Sequence, residues 1–270
     1  MERQFALACV IGLGIGVAVS RSRRKRPQHI VLTYFDLPCM PGTPQHEAQN
    51  GQAMGAPGEK IRLALALAGI PYTDKRVPFS EWAALKPKLK YTTVPVLDVD
   101  GRRLHQSSAI LHWVGQLGDG SLYPVHDREL CRRIEEVMGL GDDLHRAWAP
   151  AMMLGMGLHP QFGFPLIWPE QRSVMKGLRQ QFVKDKLPRF MLYIANELEE
   201  SGGGAFLCGQ RPTIADCQLY SQVVYFTRGA AEHVPTDCLL PWPLVIAWLR
   251  RFEAIPEVAE HLARTGLPRL

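Results

Sequence analysis

The stretch TVPVLDVDGRRLHQSSAI, Thr93 to Ile110, constrains the fold more than any other part of the chain. Two short runs, VPVLDV and RRLHQ, flank Asp100-Gly101, and an Asp-Gly pair in that setting is the strongest short-range signal for a two-residue β-hairpin. Antiparallel pairing is therefore expected. Pro95 has no N–H to give a ladder, so it belongs on an edge or at the strand entrance, with the Val94-Pro95 bond either cis or trans. A cis bond would turn the Val94 amide and carbonyl outward, where an extended peptide can pair with them. Gln106 and Ser107 then open a helix whose free N–H groups and hydroxyl suit a carboxylate. Ser107 is equally suited to capping its own helix.

Around this hairpin the chain changes character once. From His29 to about Leu117 strand signals alternate with helical ones: HIVLTYF, EKIRLALALAGI, YTDKRVPF, EWAALKPKL, the hairpin, and SSAILHWVGQL. That order, βαβ followed by ββα, predicts a sheet with helices against it. LGDGSLYP reads as a linker. Beyond it the periodicity is helical throughout, with runs at 128–153, 170–200, 213–228 and 242–261. The expected organisation is an α/β domain over 28–118, a linker over 119–125 and an all-α domain over 126–270. With 46% apolar and 21% charged residues the chain has the composition of a globular protein.

The segment Phe5 to Ser20, FALACVIGLGIGVAVS, contains no charge and is followed by Arg21, Arg23, Arg24, Lys25 and Arg26. As a helix it would run roughly 24 Å, slightly short of a hydrocarbon core. A secretory signal would carry its positive charge ahead of the apolar stretch, so these flanks favour a single N-terminal transmembrane helix over 1–27. The positive-inside rule then sets the folded body toward the cytosol, on endoplasmic reticulum or mitochondrial outer membrane. A removed targeting segment or a buried core helix is the alternative. The basic block also accounts for the formal net charge of +5, so no basic stripe for nucleic acid is expected on the body. The six cysteines, at 9, 39, 131, 208, 217 and 238, have neither CxxC nor metal-ligand spacing, and no metal is expected.

Taken together, these residues resemble a known family. A thioredoxin-like half carrying Val-Pro, an Asp-Gly hairpin and Gln-Ser at the next helix, followed by an all-helical half, is similar to the cytosolic-type glutathione transferases. LTYF at 32–35 and VDGRRLHQSSAI at 99–110 are most similar to the sigma class, and GQRPTIADCQLY at 209–220 resembles the family's capping-box segment, with Thr213 and Asp216 at a helix start. The resemblance implies glutathione as co-substrate, a hydrophobic electrophile as second substrate and a homodimer. It implies that the Tyr34 hydroxyl hydrogen-bonds the glutathione sulfur and lowers the thiol pKa, leaving a thiolate that attacks the electrophile or opens a peroxide in an isomerase branch. Val94 and Pro95 would hold the cysteinyl part through the backbone, and Gln106 and Ser107 the γ-glutamyl end. Trp82 and Lys86 would reach the glycine carboxylate. Read alone, Trp82 is a half-buried helix residue and Lys86 a solvated one.

One departure stands out. Asp36 to Gly58, DLPCMPGTPQHEAQNGQAMGAPG, inserts a long Gly/Pro-rich loop where the family has a short segment, and PGE at 57–59 stands where sigma members carry an arginine that helps organise the tyrosine. The loop also brings a rival nucleophile, Cys39, but without the helix start that would activate it. Further on, Met152, Met153, Met156, Phe162, Phe164 and Trp168 either line an electrophile pocket, pack as ordinary core or lean on a membrane. Two functions follow: a glutathione transferase, or a membrane-tethered, non-catalytic scaffold that keeps the fold.

Overall fold

The computed structural model describes residues 27–36, 56–155, 170–267 and 269–270. Strand β1, Ile30–Phe35, alternates a buried and a half-buried side chain along its length, the period-two signature of IVLTYF. Helix α1, Ala56–Leu67, carries Pro57 in its first turn and gives way to Gly69, whose φ of +62° is the left-handed conformation that closes helices. β2, Thr73–Val77, and a short helix α2, Phe79–Leu85, follow, and a single 3₁₀ turn covers Lys86–Lys88.

The hairpin forms as expected, with β3 over Val96–Val99 and β4 over Arg102–His105. Asp100 and Gly101 both take positive φ, +51° and +84°, which is a type I′ turn. The Asp100 carboxylate accepts the backbone N–H groups of Gln28, at 3.1 Å, and His29, at 2.8 Å, pinning the entry to β1 against the turn. Helix α3, Ser107–Gly115, completes this half.

The four strands lie in the order β2-β1-β3-β4, with β1 parallel to β2 and both other pairings antiparallel. β1 is thus central. Ile30 and Leu32 point into the same core as Ile61, Ala64 and Leu65 of α1 and Ile110, Leu111 and Val114 of α3.

The second half is helical: α4, Arg128–Gly155; α5, Glu170–Gln181; α6, Leu187–Glu200; α7, Ile214–Val223; α8, Pro243–Glu253; and α9, Pro256–Thr265. α7 opens on a reciprocal capping box, in which Asp216 accepts the Thr213 N–H at 2.8 Å while the Thr213 side chain receives the N3 backbone donor. Two of the helical runs read from periodicity are divided. Between α5 and α6 the five residues Phe182–Lys186 widen into a π turn just ahead of Pro188, which has no N–H for the carbonyl four residues back. The run at 242–261 breaks at Ile255, held extended at ψ 127° before Pro256, because a residue preceding proline is driven from the helical region.

The membrane expectation is corrected here. Among the described residues no helix is long and apolar enough to cross a membrane. α4 has the length, at 28 residues, but Glu129, Arg132, Glu136, Asp142, Asp143 and Arg146 give it a charged, exposed face. The apolar segment Phe5 to Ser20 and its basic flank lie outside the described residues. The fold class is accordingly a thioredoxin-like sheet with an all-helical second half and, among the described residues, no transmembrane helix, and the single-pass, cytosol-facing location drawn from that helix is withdrawn.

Candidate functional site

The sheet register decides where the candidate residues meet. The β1–β3 ladder ends at Thr33↔Val96 and the β3–β4 ladder at Val96↔His105. One step further along lie Tyr34 on β1, Pro95 ahead of β3 and Gln106 after β4. Three strands therefore deliver Tyr34, Val94, Pro95, Gln106 and Ser107 to one end of the sheet. β2 runs parallel to β1 and ends at the same edge, so α2 and the 3₁₀ turn, with Trp82 and Lys86, start from there as well. Phe35 ties the two groups together: its ring meets Trp82 edge-on at 4.8 Å and stacks on Phe79 at 4.9 Å.

Each residue offers a particular group. The Val94-Pro95 bond is cis, and among the described residues Val94 makes no backbone hydrogen bond. Gln106 sits at φ 69°, ψ 112°, a conformation costing a non-glycine residue of order 1–3 kcal/mol. It occupies the N-cap position of α3 and makes no side-chain cap bond there, so Ser107 is the first helical residue rather than the cap. The N–H groups of this first turn are the orphan donors of any helix start. Trp82 is half-buried and Lys86 exposed.

Tyr34 is the innermost of the set, at 7% exposure. Burial pushes its phenol up to about 12, and the nearby Arg62 charge pulls the other way. At neutral pH the group is thus an intact O–H, a donor rather than an anion. Two residues of α1 hold the ring. A Cβ on Gly58 would come within 2.7 Å of Tyr34 Cδ1, so the helix backbone lies against the ring there. One turn on, the Arg62 guanidinium stands 5.9 Å from the ring centroid.

Arg62 is the residue that the sequence did not reveal. The stretch expected to supply a helper to Tyr34 holds Pro57, Gly58 and Glu59, yet a buried arginine still reaches the ring from later in the same helix. It bonds Asp74 through Nε at 3.0 Å and Nη2 at 3.1 Å, and Glu59 through Nη1 at 3.3 Å. Glu59 in turn contacts His261 Nε2 at 2.6 Å. Burial pushes the Glu59 carboxyl up, but His261 and Arg62 outweigh it and hold the group down at about 2. The Glu59–Arg62 pair at i, i+3 was the available signal.

Cys39, Met156, Phe162, Phe164 and Trp168 lie outside the described residues. Met152 and Met153 are half-buried in the last turn of α4, and Met152 packs on the core. A concavity of about 480 Å³ opens between the linker and the segment before α7, lined by Asp119, Pro124, Asp127, Cys208 and Arg211. It contains none of the strand-end residues. The strand end is the stronger candidate because helix-start backbone donors, an amide unpaired among the described residues and a buried phenol converge there. No cluster of histidine, cysteine and acidic residues able to hold a metal occurs among the described residues.

The chain matches the model of the glutathione S-transferase N-terminal domain over residues 58–117 and that of the C-terminal domain over residues 161–265. It is 30% identical over 203 residues to a maleylacetoacetate isomerase of Rhizobium meliloti (strain 1021), covering 73% of this chain and 86% of that protein. A glutathione S-transferase of Antechinus stuartii is 29% identical over 211 residues, covering 76% and 82% respectively. Among solved structures, a prostaglandin synthase D of Nilaparvata lugens superposes with a TM-score of 0.68 at 18% identity, covering 89% of this chain and all of that one.

Proposed function

Because the chain belongs to the glutathione S-transferase family and is an enzyme of that kind, we infer that it binds glutathione across the strand end and activates its thiol through Tyr34. The observation that carries this reading is the convergence of a buried, protonated phenol with the Val94 backbone and the start of α3 at one edge of the sheet.

The chemistry follows from the groups present. The Val94 N–H and carbonyl pair with the extended tripeptide, as an added strand does. The first-turn N–H groups of α3, with Gln106 and Ser107, receive the γ-glutamyl carboxylate. Trp82 Nε1–H and the Lys86 ammonium answer the glycine carboxylate. The cysteinyl sulfur then faces the Tyr34 hydroxyl. A hydrogen bond donated to the charged form stabilises the thiolate, and the thiol proton leaves to solvent. The sulfur lone pair attacks an electrophilic carbon, forming a C–S bond while a π pair or leaving group departs. For an isomerisation the same bond forms and later breaks, returning glutathione; the isomerase among the relatives supports keeping both outcomes. A hydrophobic electrophile is the matching second substrate, with Met152 and Met153 as candidate wall residues.

The test compares wild type with Tyr34→Phe, first for retention on immobilised glutathione and then for conjugation of an aryl halide. Retention is expected to persist and the conjugation rate to fall about tenfold or more, which is about 1.4 kcal/mol. Equal rates would remove Tyr34 from the reaction, and loss of retention in wild type would remove glutathione.

A further inference from the structure

Behind the phenol lies a buried set of charges for which the reaction as described has no use. Arg62 is 1% exposed, Glu59 1% and His261 1%, so three ionisable side chains share one dry region. Asp74 is half-buried at its border, where it also accepts from Arg76 Nε at 2.8 Å. Tyr72 stands beside this group with Arg264 over its ring at 6.0 Å. The set draws on four elements: α1, the segment before β2, β2 itself and α9.

Charge burial on this scale is unfavourable unless each group is paired. The pairing here is uneven. Arg62 directs Nε and Nη2 to Asp74 and Nη1 to Glu59, while Glu59 spends its other oxygen on His261. The field that Arg62 presents to the Tyr34 ring is therefore the cation's own, reduced by the half-buried Asp74 carboxylate and by whatever part of the Glu59 charge His261 leaves undispersed. A hydrogen bond from the imidazole disperses that carboxylate charge.

We propose that Arg62 and His261 are positioning residues for the Tyr34 phenol, Arg62 acting on the ring directly and His261 acting through Glu59. This rests on Tyr34 being the thiol-activating group. Arg62 lowers the cost of electron density on the phenol oxygen and so strengthens the hydrogen bond that it donates. Glu59 opposes this, and His261 restrains Glu59. α9 of the helical half is thereby coupled to the acidity of a residue on the central strand, and neither positioning residue touches glutathione.

The coupling makes predictions of opposite sign. The midpoint at which bound glutathione ionises is read from ultraviolet thiolate absorbance on the full chain. His261→Phe removes the donor to Glu59 and is expected to raise that midpoint by about half a pH unit. Glu59→Gln removes the opposing charge with little change of shape and is expected to lower it by a similar amount. His261→Gln, which restores an N–H donor, should return it to the wild-type value. In the Tyr34→Phe background both shifts should vanish.

A purely structural role would move both variants the same way, and that result overturns the proposal. So does an unmoved midpoint in Glu59→Gln, the variant least disturbing to packing should His261→Phe fail to fold. If Tyr34→Phe raises the midpoint while the Glu59 and His261 variants do nothing, only this coupling fails and thiol activation by Tyr34 stands. If Tyr34→Phe is itself silent, the activation reading fails and takes the coupling with it.

Discussion

Lys60 Nζ donates to Gln218 Oε1 at 2.9 Å, joining α1 of the sheet half to α7 of the helical half. The Gln218 amide passes the connection on to the Met138 carbonyl at 2.9 Å and to Asp142 at 3.0 Å, both on α4. Lys60 is buried, and that burial lowers its ammonium to about 8, with Asp142 opposing the shift. Between that value and the unfolded lysine value of about 10.4 the unfolded chain holds the extra proton, so stability rises with pH there. In urea unfolding, wild type should gain on Lys60→Met by about 1 to 3 kcal/mol as pH climbs from 8 through 10. A difference that stays flat with pH would show that Lys60 remains charged.

Glu59 gives the opposite dependence. Its folded carboxyl, held near 2 against burial by His261 and Arg62, lies below the unfolded glutamate value, so its contribution is complete above about pH 4.5 and declines as pH falls toward 2. The stability difference between wild type and Glu59→Gln should shrink over that window by about 2 to 3 kcal/mol. Acid titration of unfolding midpoints for the two proteins measures it.

Gly58→Ala tests the helix backbone as a wall for the phenol. Its new methyl would stand 2.7 Å from Cδ1 and 2.8 Å from Cγ of Tyr34, both fixed ring atoms, so the ring must move. Stability should fall by about 1 to 3 kcal/mol, and kcat/KM by about tenfold or more because a displaced donor loses its alignment with sulfur. Wild-type kinetics in a folded Gly58→Ala would show that the ring position does not matter.

Asp216 is fully buried and accepts from Thr213 N–H at 2.8 Å, Leu207 N–H at 3.1 Å, Trp248 Nε1–H at 2.9 Å and the Thr213 hydroxyl at 3.1 Å. Asp216→Ala strands all these donors in the core. The expected loss is about 3 to 5 kcal/mol, against about 1 kcal/mol for an ordinary exposed cap. Denaturant midpoints separate the two magnitudes.

Legibility in the sequence followed the range of the forces involved. The hairpin was readable because an Asp-Gly turn and its flanking alternation are local, and the capping box because Thr213 and Asp216 are three residues apart. Pro256 and Pro188 were equally local signals for the divided helices, yet continuous apolar periodicity masked them. The sheet register then followed from the strands, and with it the meeting of Tyr34, Pro95 and Gln106. The cluster behind Tyr34 was not readable in this way. In PGEKIRL three charged side chains look like a solvated first turn, since such residues are seldom buried. Their burial depends on Asp74 and His261, which only the tertiary fold supplies.

The contact between Glu59 and His261 spans 202 positions of chain. While the polypeptide is being synthesised, α1 and the strands beside it emerge long before α9, and in that interval Glu59 lacks the imidazole that hydrogen-bonds it. The sheet half therefore completes last the buried cluster behind Tyr34, and a nascent chain stalled before residue 261 would be a natural client for chaperones.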